Sequence, residues 1–209
     1  MVLPGKPHLE IRELKETDFA NLEVFCDQCL KLGWHNNSSL EKLKVEKLIM
    51  PYGKFFIGYD HNNECIWNIA GIHQLPEISP TAWRCLFRGA QLPGYSVSSS
   101  FSKNIFKNGF HLSYFLPIQI NYIKSLFEDA QFYMTSNSPS NQTDTAGKSI
   151  RMDKIMRNTL LKSGVITEYA SEFDLYYTKQ SIWKINQKRY WEERSKVLFD
   201  LCDLNILEL

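Results

Sequence analysis

"IAGIHQLPEISPTAWRCLFRGAQLPGYSVSSSFSKN", residues 69–104, decides how this chain is read. Its start completes the apolar run "CIWNIAGIHQL" that begins at Cys65. That run and "KFFIGYD" (54–60) flank "HNN" (61–63), a turn-forming cluster, so the two predict a hairpin. "PEISP" (76–80) reads as a loop. "AWRCLFRGAQL" (82–92) is a third strand by its alternation, with Trp83, Cys85 and Phe87 expected on one face and Arg84, Leu86 and Arg88 on the other. Residues 93–104, rich in Gly and Ser, are loop-like.

The flanking segments extend this pattern. "HLEIREL" (8–14) alternates as a half-buried strand does. A helix follows, capped by Thr17 or Asp18, with Phe19, Leu22, Phe25, Cys26, Cys29 and Leu30 on its apolar face and Gly33 at its stop. "SSLEKLKVEKLIM" (38–50) repeats the device up to Pro51. Pro117 excludes one continuous helix over 110–130 and fits the first turn of a helix over about 117–129. "QFYMTSN" (131–137) is a short strand, and "SIRMDKIMRNTLLKSG" (149–164) an amphipathic helix ending at Gly164. "VITEYASEFDLYYT" and "SIWKIN" are two late strands. A last helix starts near Lys188 and is expected to dock by Trp191, Leu198 and Leu201. The order predicts an α/β fold with a mixed sheet of about seven strands and helices on both faces. Residues 1–187 would form this domain and 188–209 a C-terminal helical extension.

Bulk composition excludes some classes. A chain of 209 residues with 44% hydrophobic and 13% aromatic residues can bury a core, which rules out a disordered protein. Twenty-four basic residues against 23 acidic ones give a net charge of +1, so neither nucleic acid nor an anionic membrane is indicated as main partner. In "QKRYWEERSK" (187–196), Glu192 and Glu193 offset the basic side chains. The five cysteines are scattered and odd in number; Cys26 and Cys29 lie in a helical pattern without the second ligand pair a zinc site requires, and read as buried reduced thiols. The N-terminus lacks a signal-peptide pattern, and no stretch approaches the roughly 20 apolar residues that span a bilayer, so a cytoplasmic protein is expected.

The order of elements resembles that of the GNAT family of acyl-CoA N-acyltransferases over residues 8 to about 187. "IRELKETDF" resembles the family's first strand and helix entry, "WNIAGI" its third strand with Gly71 at a frequent glycine position, and "WRCLFRGAQLPG" its fourth strand. "FYMTSN" resembles the fifth strand, with Asn137 at its end, and "LLKSGVI" the step into the sixth. "WRCLFRGAQLPGY" and "QSIWKIN" also resemble a group of phage-encoded GNAT-like proteins. The resemblance implies acetyl-CoA or another acyl-CoA as cofactor and a small-molecule or protein amine as acceptor. The family holds the cofactor pyrophosphate on the backbone of a Q/R-x-x-G-x-G/A loop. Here "GYSVSSSFSKN" (94–104) stands in its place, with Gly94 followed by serines and Lys103. Hydroxyls and an ammonium bind phosphate but do not form a glycine nest.

The resemblance draws the cofactor site from Leu92, Gly94, Ser98, Ser99, Lys103 and Asn137, the last facing the pantetheine arm. Asn137 reads equally as a strand-end turn residue, and the serine run as a solvated loop. Arg84 and Arg88, four apart on a strand, can receive a carboxylate or phosphate, or lie outward in ion pairs. Acyl transfer to an amine needs a base and an acid. His73, Glu77 and His111 are base candidates, of which His73 ends its strand beside the next. The family often takes its acid from a tyrosine after the fifth strand; the helix 148–163 has none, leaving Tyr133, Tyr169, Tyr176 and Tyr177, each also a packing residue by type. Three functions fit: a GNAT-like acyltransferase with a degenerate phosphate loop, a non-catalytic GNAT-fold protein binding a phage or host partner, and an enzyme using another nucleotide or acyl donor.

Overall fold

A computed structural model describes residues 2–3, 6–32, 52–92, 114–138, 153–154, 156–175 and 178–200. In chain order these form β1 (Val2–Leu3), β2 (Lys6–Glu13), a 3-10 turn (Glu16–Asp18), α1 (Phe19–Lys31), β3 (Lys54–Asp60), β4 (Cys65–Gln74) and β5 (Ala82–Gln91). Then follow α2 (Phe115–Leu126), β6 (Gln131–Asn137), a π-helical segment (Met156–Leu161), β7 (Ile166–Leu175), β8 (Thr178–Ile185) and α3 (Gln187–Asp200). The strands make one sheet in the order β1-β2-β3-β4-β5-β6-β8-β7. The seven expected strands are present; the two-residue β1 adds an eighth at the edge. The expected helix over 38–50 lies outside the described residues.

Helices cover both faces. The α1 stripe Leu22, Phe25, Cys26 and Cys29 packs on Phe55, Ile57, Ile66 and Ile69 of the first face. Leu30 is 43% exposed, one position past the stripe, contrary to its expected place in it. Burial pushes the Cys26 and Cys29 thiols up to about 11 and about 12, as neutral, unreactive side chains. The second face packs against α2 through Phe115, Leu116, Ile120 and Ile123, the π segment through Met156 and Leu160, and α3 through Tyr190. Pro117 falls in the first turn of α2, where its missing N–H has no helical partner to lose. The anchor of α3 is Tyr190, fully buried, and not Trp191, which is 36% exposed. Register explains this: Asn186 Oδ1 caps the Arg189 N–H, and that start turns Tyr190 and Arg194, one turn apart, inward.

Two close approaches fix strand positions. A Cβ on Gly58 would stand 2.4 Å from Trp67 Cε2, so the buried indole lies flat across a position only glycine leaves open. A Cβ on Gly71 would meet the Phe55 ring at 2.8 Å and the Phe87 carbonyl at 3.1 Å.

The passage from β2 to α1 is tied by Arg12 and Asp18. Both guanidinium Nη atoms donate to the Asp18 carboxylate at 2.6 Å, and the Lys15 N–H donates to it at 2.8 Å. The Arg12 hydrogen bonds hold the Asp18 carboxyl below its usual range against the opposing effect of burial, with the Lys15 N–H adding to them. A depressed folded-state value contributes stability that is present above the unfolded pKa of about 3.9 and is lost as pH falls through the folded value. Melting temperature against pH in Asp18→Asn should therefore fall less steeply below about pH 4 than in the parent. An unchanged acid limb would contradict the assignment.

Candidate functional site

The sheet is antiparallel except between β5 and β6, which run parallel. They pair at only three positions, Ala82–Gln131, Trp83–Phe132 and Arg84–Tyr133. Beyond these, the described pairings of β5 go to β4 alone, and Met134–Asn137 of β6 pair with β8 alone. The sheet therefore divides at Arg84 and Tyr133, and among the described residues no strand lies between the facing edges of β5 and β6 from there on. Such edges present ladder N–H and C=O groups to whatever lies in the gap.

A bulge helps to drive the division. His73 pairs with Arg84 and Gly71 with Phe87, so two steps on β4 face three on β5. Leu86 takes a positive φ of 56° at the extra residue. The bulge inverts the alternation of β5. Trp83 and Cys85 belong to the α2-side core, whereas Phe87 belongs to the α1-side core beside Phe55. The expected common face for Trp83, Cys85 and Phe87 is thus corrected: strict alternation holds only up to Cys85.

A bulge strands backbone groups, and Gln119 of α2 takes two of them. Fully buried, it accepts from the Leu86 N–H at 3.1 Å and donates to the Gly71 carbonyl at 2.8 Å. One primary amide, donor and acceptor at once, satisfies both strands at the branch. This residue was not singled out from sequence. Its signal is a lone amide on the stripe Phe115, Leu116, Ile120, Ile123 of an otherwise apolar helix face.

The β6 arm is anchored from behind. Trp183 Nε1 donates to Ser136 Oγ at 3.1 Å, and Ser136 Oγ donates to Asp153 Oδ1 at 3.3 Å. Arg157 Nε donates to Asp153 at 2.9 Å, and its guanidinium lies 4.8 Å from the centre of the Trp183 ring. Ser136, Asp153 and Trp183 are all buried. Asp153 and Arg157 stand four apart, the spacing of one helical turn, whereas Ser136 and Asp153 meet only because the chain winds back over the sheet, a contact invisible to periodicity.

Of the expected site residues, the structure brings His73, Arg84 and Tyr133 together. They are cross-strand partners on three adjacent strands, so their side chains share the α1-side face at the branch point. His73 is 1% exposed; its Nδ1 bonds the Gln74 carbonyl at 2.9 Å, and its ring meets Phe87 edge-on at 4.3 Å. The Arg84 guanidinium lies 4.8 Å from the centre of the same Phe87 ring. The Tyr133 hydroxyl donates to Gln131 Oε1 at 3.2 Å, and burial, then the neighbouring Tyr169, raises its pKa, so the phenol keeps its proton. Tyr169 meets Tyr133 edge-on at 5.5 Å from the exposed side.

The other residues fall elsewhere. Asn137 ends β6, where its Oδ1 accepts from Gln180 Nε2 at 2.7 Å. Leu92 is packed in the α1-side core, and its N–H donates to the Trp67 carbonyl at 2.8 Å, which ties the end of β5 to β4. Glu77 is exposed in the turn after β4. Arg88 lies in β5, and its side chain is outside the described residues, as are Gly94, Ser98, Ser99, Lys103, His111, Tyr176 and Tyr177. Among the described residues no group of three or more His, Cys, Asp or Glu is placed to hold a metal ion, and no helix is long and apolar enough to cross a membrane.

No family model matches the chain, and no curated protein does. Solved structures do. The ribosomal-protein-S5-alanine acetyltransferase from Vibrio fischeri is 10% identical, with a TM-score of 0.51 over 86% of this chain and 93% of that one. A GNAT-family acetyltransferase from Staphylococcus aureus Mu50 is 14% identical, with a TM-score of 0.51 over 85% of this chain and 98% of that one. An acetyltransferase from Streptococcus agalactiae 2603 is 10% identical, with a TM-score of 0.50 and the same coverage. At these identities the likeness is one of fold: the chain has the α/β fold of GNAT acetyltransferases.

Proposed function

We propose that this GNAT-fold chain transfers an acyl group from an acyl-CoA to a primary amine. The observation that carries the reading is the division of β5 from β6 after three paired residues. An extended molecule with amide groups fits between two facing strand edges, and the pantetheine arm of coenzyme A has that character. The backbone of β5 beyond Arg84 and of β6 over Met134–Asn137 would hold the arm. The phosphates would fall to Gly94, Ser98, Ser99 and Lys103. Coenzyme A, when bound, supplies an acyl group activated as a thioester.

The remaining chemistry belongs to residues at the branch. His73 directs Nδ1 at the Gln74 carbonyl, so a neutral ring has its acceptor nitrogen at Nε2; that atom is enclosed, and it would take an amine proton only once ligand entry uncovers it. Tyr133, two strands away, keeps its phenol proton and suits donation to a leaving thiolate. Positioning of the amine between them supplies most of the acceleration. Acyl-CoA is a metabolite of the cytosol, and a cytoplasmic location goes with this reading.

One observation favours the non-catalytic alternative. Gln119 already takes the Leu86 N–H and the Gly71 carbonyl, backbone groups beside the branch. Ligand-induced stabilisation separates the two readings. Acetyl-CoA at about 100 times its dissociation constant should stabilise the fold by about 2.7 kcal/mol, and replacing Ser98, Ser99 and Lys103 together by alanine should shrink that shift. The absence of any shift with acetyl-CoA and longer acyl-CoAs would remove the transferase reading.

A further inference from the structure

One hydroxyl beside the gap has no bond. Thr135 lies on the β6 arm two residues beyond Tyr133, about 7 Å further along the strand. One edge of it pairs with Ile182 of β8, and the other faces the gap. Its Oγ1 is enclosed and has no hydrogen-bond partner among the described residues. The remaining polar side chains from Tyr133 to Ser138 are all bonded. Tyr133 donates to Gln131, Ser136 to Asp153 and Ser138 to Glu172, while Asn137 accepts from Gln180.

The surroundings explain the missing bond. Ile182, opposite Thr135, belongs to the apolar cluster of Leu75, Tyr133 and Leu175, which offers no acceptor. Valine would suit such a place by shape and strand preference, with no polar atom to satisfy. Threonine instead withdraws a hydroxyl from water without a bond in return, a net cost to the unliganded fold. The place is also within reach. Tyr133 is buried, but Thr135 and Asn137 are half-buried, so the surface meets this side of the arm from Thr135 onward. A molecule entering between the β5 and β6 edges keeps its bulky end at the open side, because the edges converge at Arg84 and Tyr133. For an acyl-CoA, the nucleotide stays outermost and the thioester, at the tip of the slender arm, comes nearest the branch.

From this placement, and resting on the transferase reading, we infer that the Thr135 hydroxyl donates a hydrogen bond to the carbonyl oxygen of the bound thioester. It is the first residue past the branch on the side where His73 and Arg84 lie, and it has no bond to give up on ligand entry. The arm of coenzyme A is held by strand edges, whereas Thr135 recognises the acyl group itself. The same donor favours the negative charge that amine attack places on that oxygen. No proton leaves Thr135 in this role.

Thr135→Val, nearly identical in shape, tests this in two ways. Without ligand it should melt about 2–4 °C higher than wild type, because it removes a buried hydroxyl that has no partner. Calorimetry with acetyl-CoA and with free coenzyme A then reads the acyl group alone, since only acetyl-CoA has the carbonyl. Thr135→Val should weaken acetyl-CoA about two- to tenfold and leave coenzyme A as in wild type. Thr135→Ser, which keeps the hydroxyl, should retain the wild-type ratio of the two affinities. A melting temperature of Thr135→Val equal to or below that of wild type overturns the inference, because the hydroxyl is then already bonded. So does an equal effect on both nucleotides, no effect on either, or a serine variant that behaves as the valine one does; in these cases the transferase reading stands. Wild type that binds neither nucleotide removes the transferase reading, and the role of Thr135 falls with it.

Discussion

Replacing Trp183 by alanine should cost about 3–5 kcal/mol of stability, as other deletions of a buried tryptophan ring do. For a domain of this size that is a fall in melting temperature of about 6–20 °C. Trp183 has no exposed surface, and its ring sits in the larger core cluster with Phe132, Met134 and Ile185. More than volume is lost. The indole N–H is the donor that fixes Ser136 Oγ, and Ser136 passes that order on to Asp153. Without the ring, Arg157 also loses the aromatic face it stacks on. Trp183→Phe separates the two contributions, since it keeps most of the apolar volume and removes the donor. Its cycle with Ser136→Ala should show a coupling of about 0.5–3 kcal/mol. Additive effects in that cycle would mean that the hydrogen bond contributes nothing to holding the β6 arm. A loss of under about 1 kcal/mol in Trp183→Ala would contradict the packing itself.

Gln119→Leu should be nearly as costly. The side chain is about the same size, so the transfer and cavity contributions are small. What remains is the Leu86 N–H and the Gly71 carbonyl, both left buried without a partner, at about 1–3 kcal/mol each and so about 2–6 kcal/mol together. Gln119→Glu distinguishes this account from simple packing. The ionised carboxylate still accepts from Leu86 and faces the Gly71 carbonyl oxygen with a negative charge; the protonated form restores a donor. Its folded-state pKa must therefore lie above the unfolded value of about 4.3. A raised value gives stability that is complete below the unfolded pKa and is lost as pH rises through the folded one. Relative to the parent, Gln119→Glu should gain stability as the pH falls from 8 toward 4. A pH-independent difference would show that Gln119 does not bridge the two strands. Acyl-CoA binding, measured alongside, should weaken in Gln119→Leu, because the β5 side of the gap loses its brace.

Trp183 and Gln119 together explain why a sheet with a gap is stable. Each arm of the division is held by one buried side chain from a neighbouring element. The β5 arm is braced by an amide from α2 and the β6 arm by an indole from β8, and neither brace crosses the gap. Thr135 and Asn137 face the α1 side of the same sheet, the side on which His73, Arg84 and Tyr133 lie.

By itself the sequence determined the seven main strands, α1 and α2 and their order. Period-two alternation at 8–14 and 82–85, the "HNN" turn, the stripe Leu22–Phe25–Cys26–Cys29 and the placement of Pro117 are local consequences of backbone geometry, and each appears in the structure. It also supplied His73, Arg84 and Tyr133 as separate candidates, because their side-chain chemistry is evident at any position. Only the tertiary structure decided that they share a line, since a cross-strand pair joins residues 11 and 49 positions apart and register is set by long-range pairing. It alone revealed the bulge at Leu86, where one extra residue turns Phe87 to the opposite face and overrides the alternation expected through 88. The braces Gln119 and Trp183 were hidden for the same reason. A hydrogen bond spanning 33, 47 or 48 residues leaves no periodic trace, and it exists only once the sheet has divided and the freed backbone groups need partners.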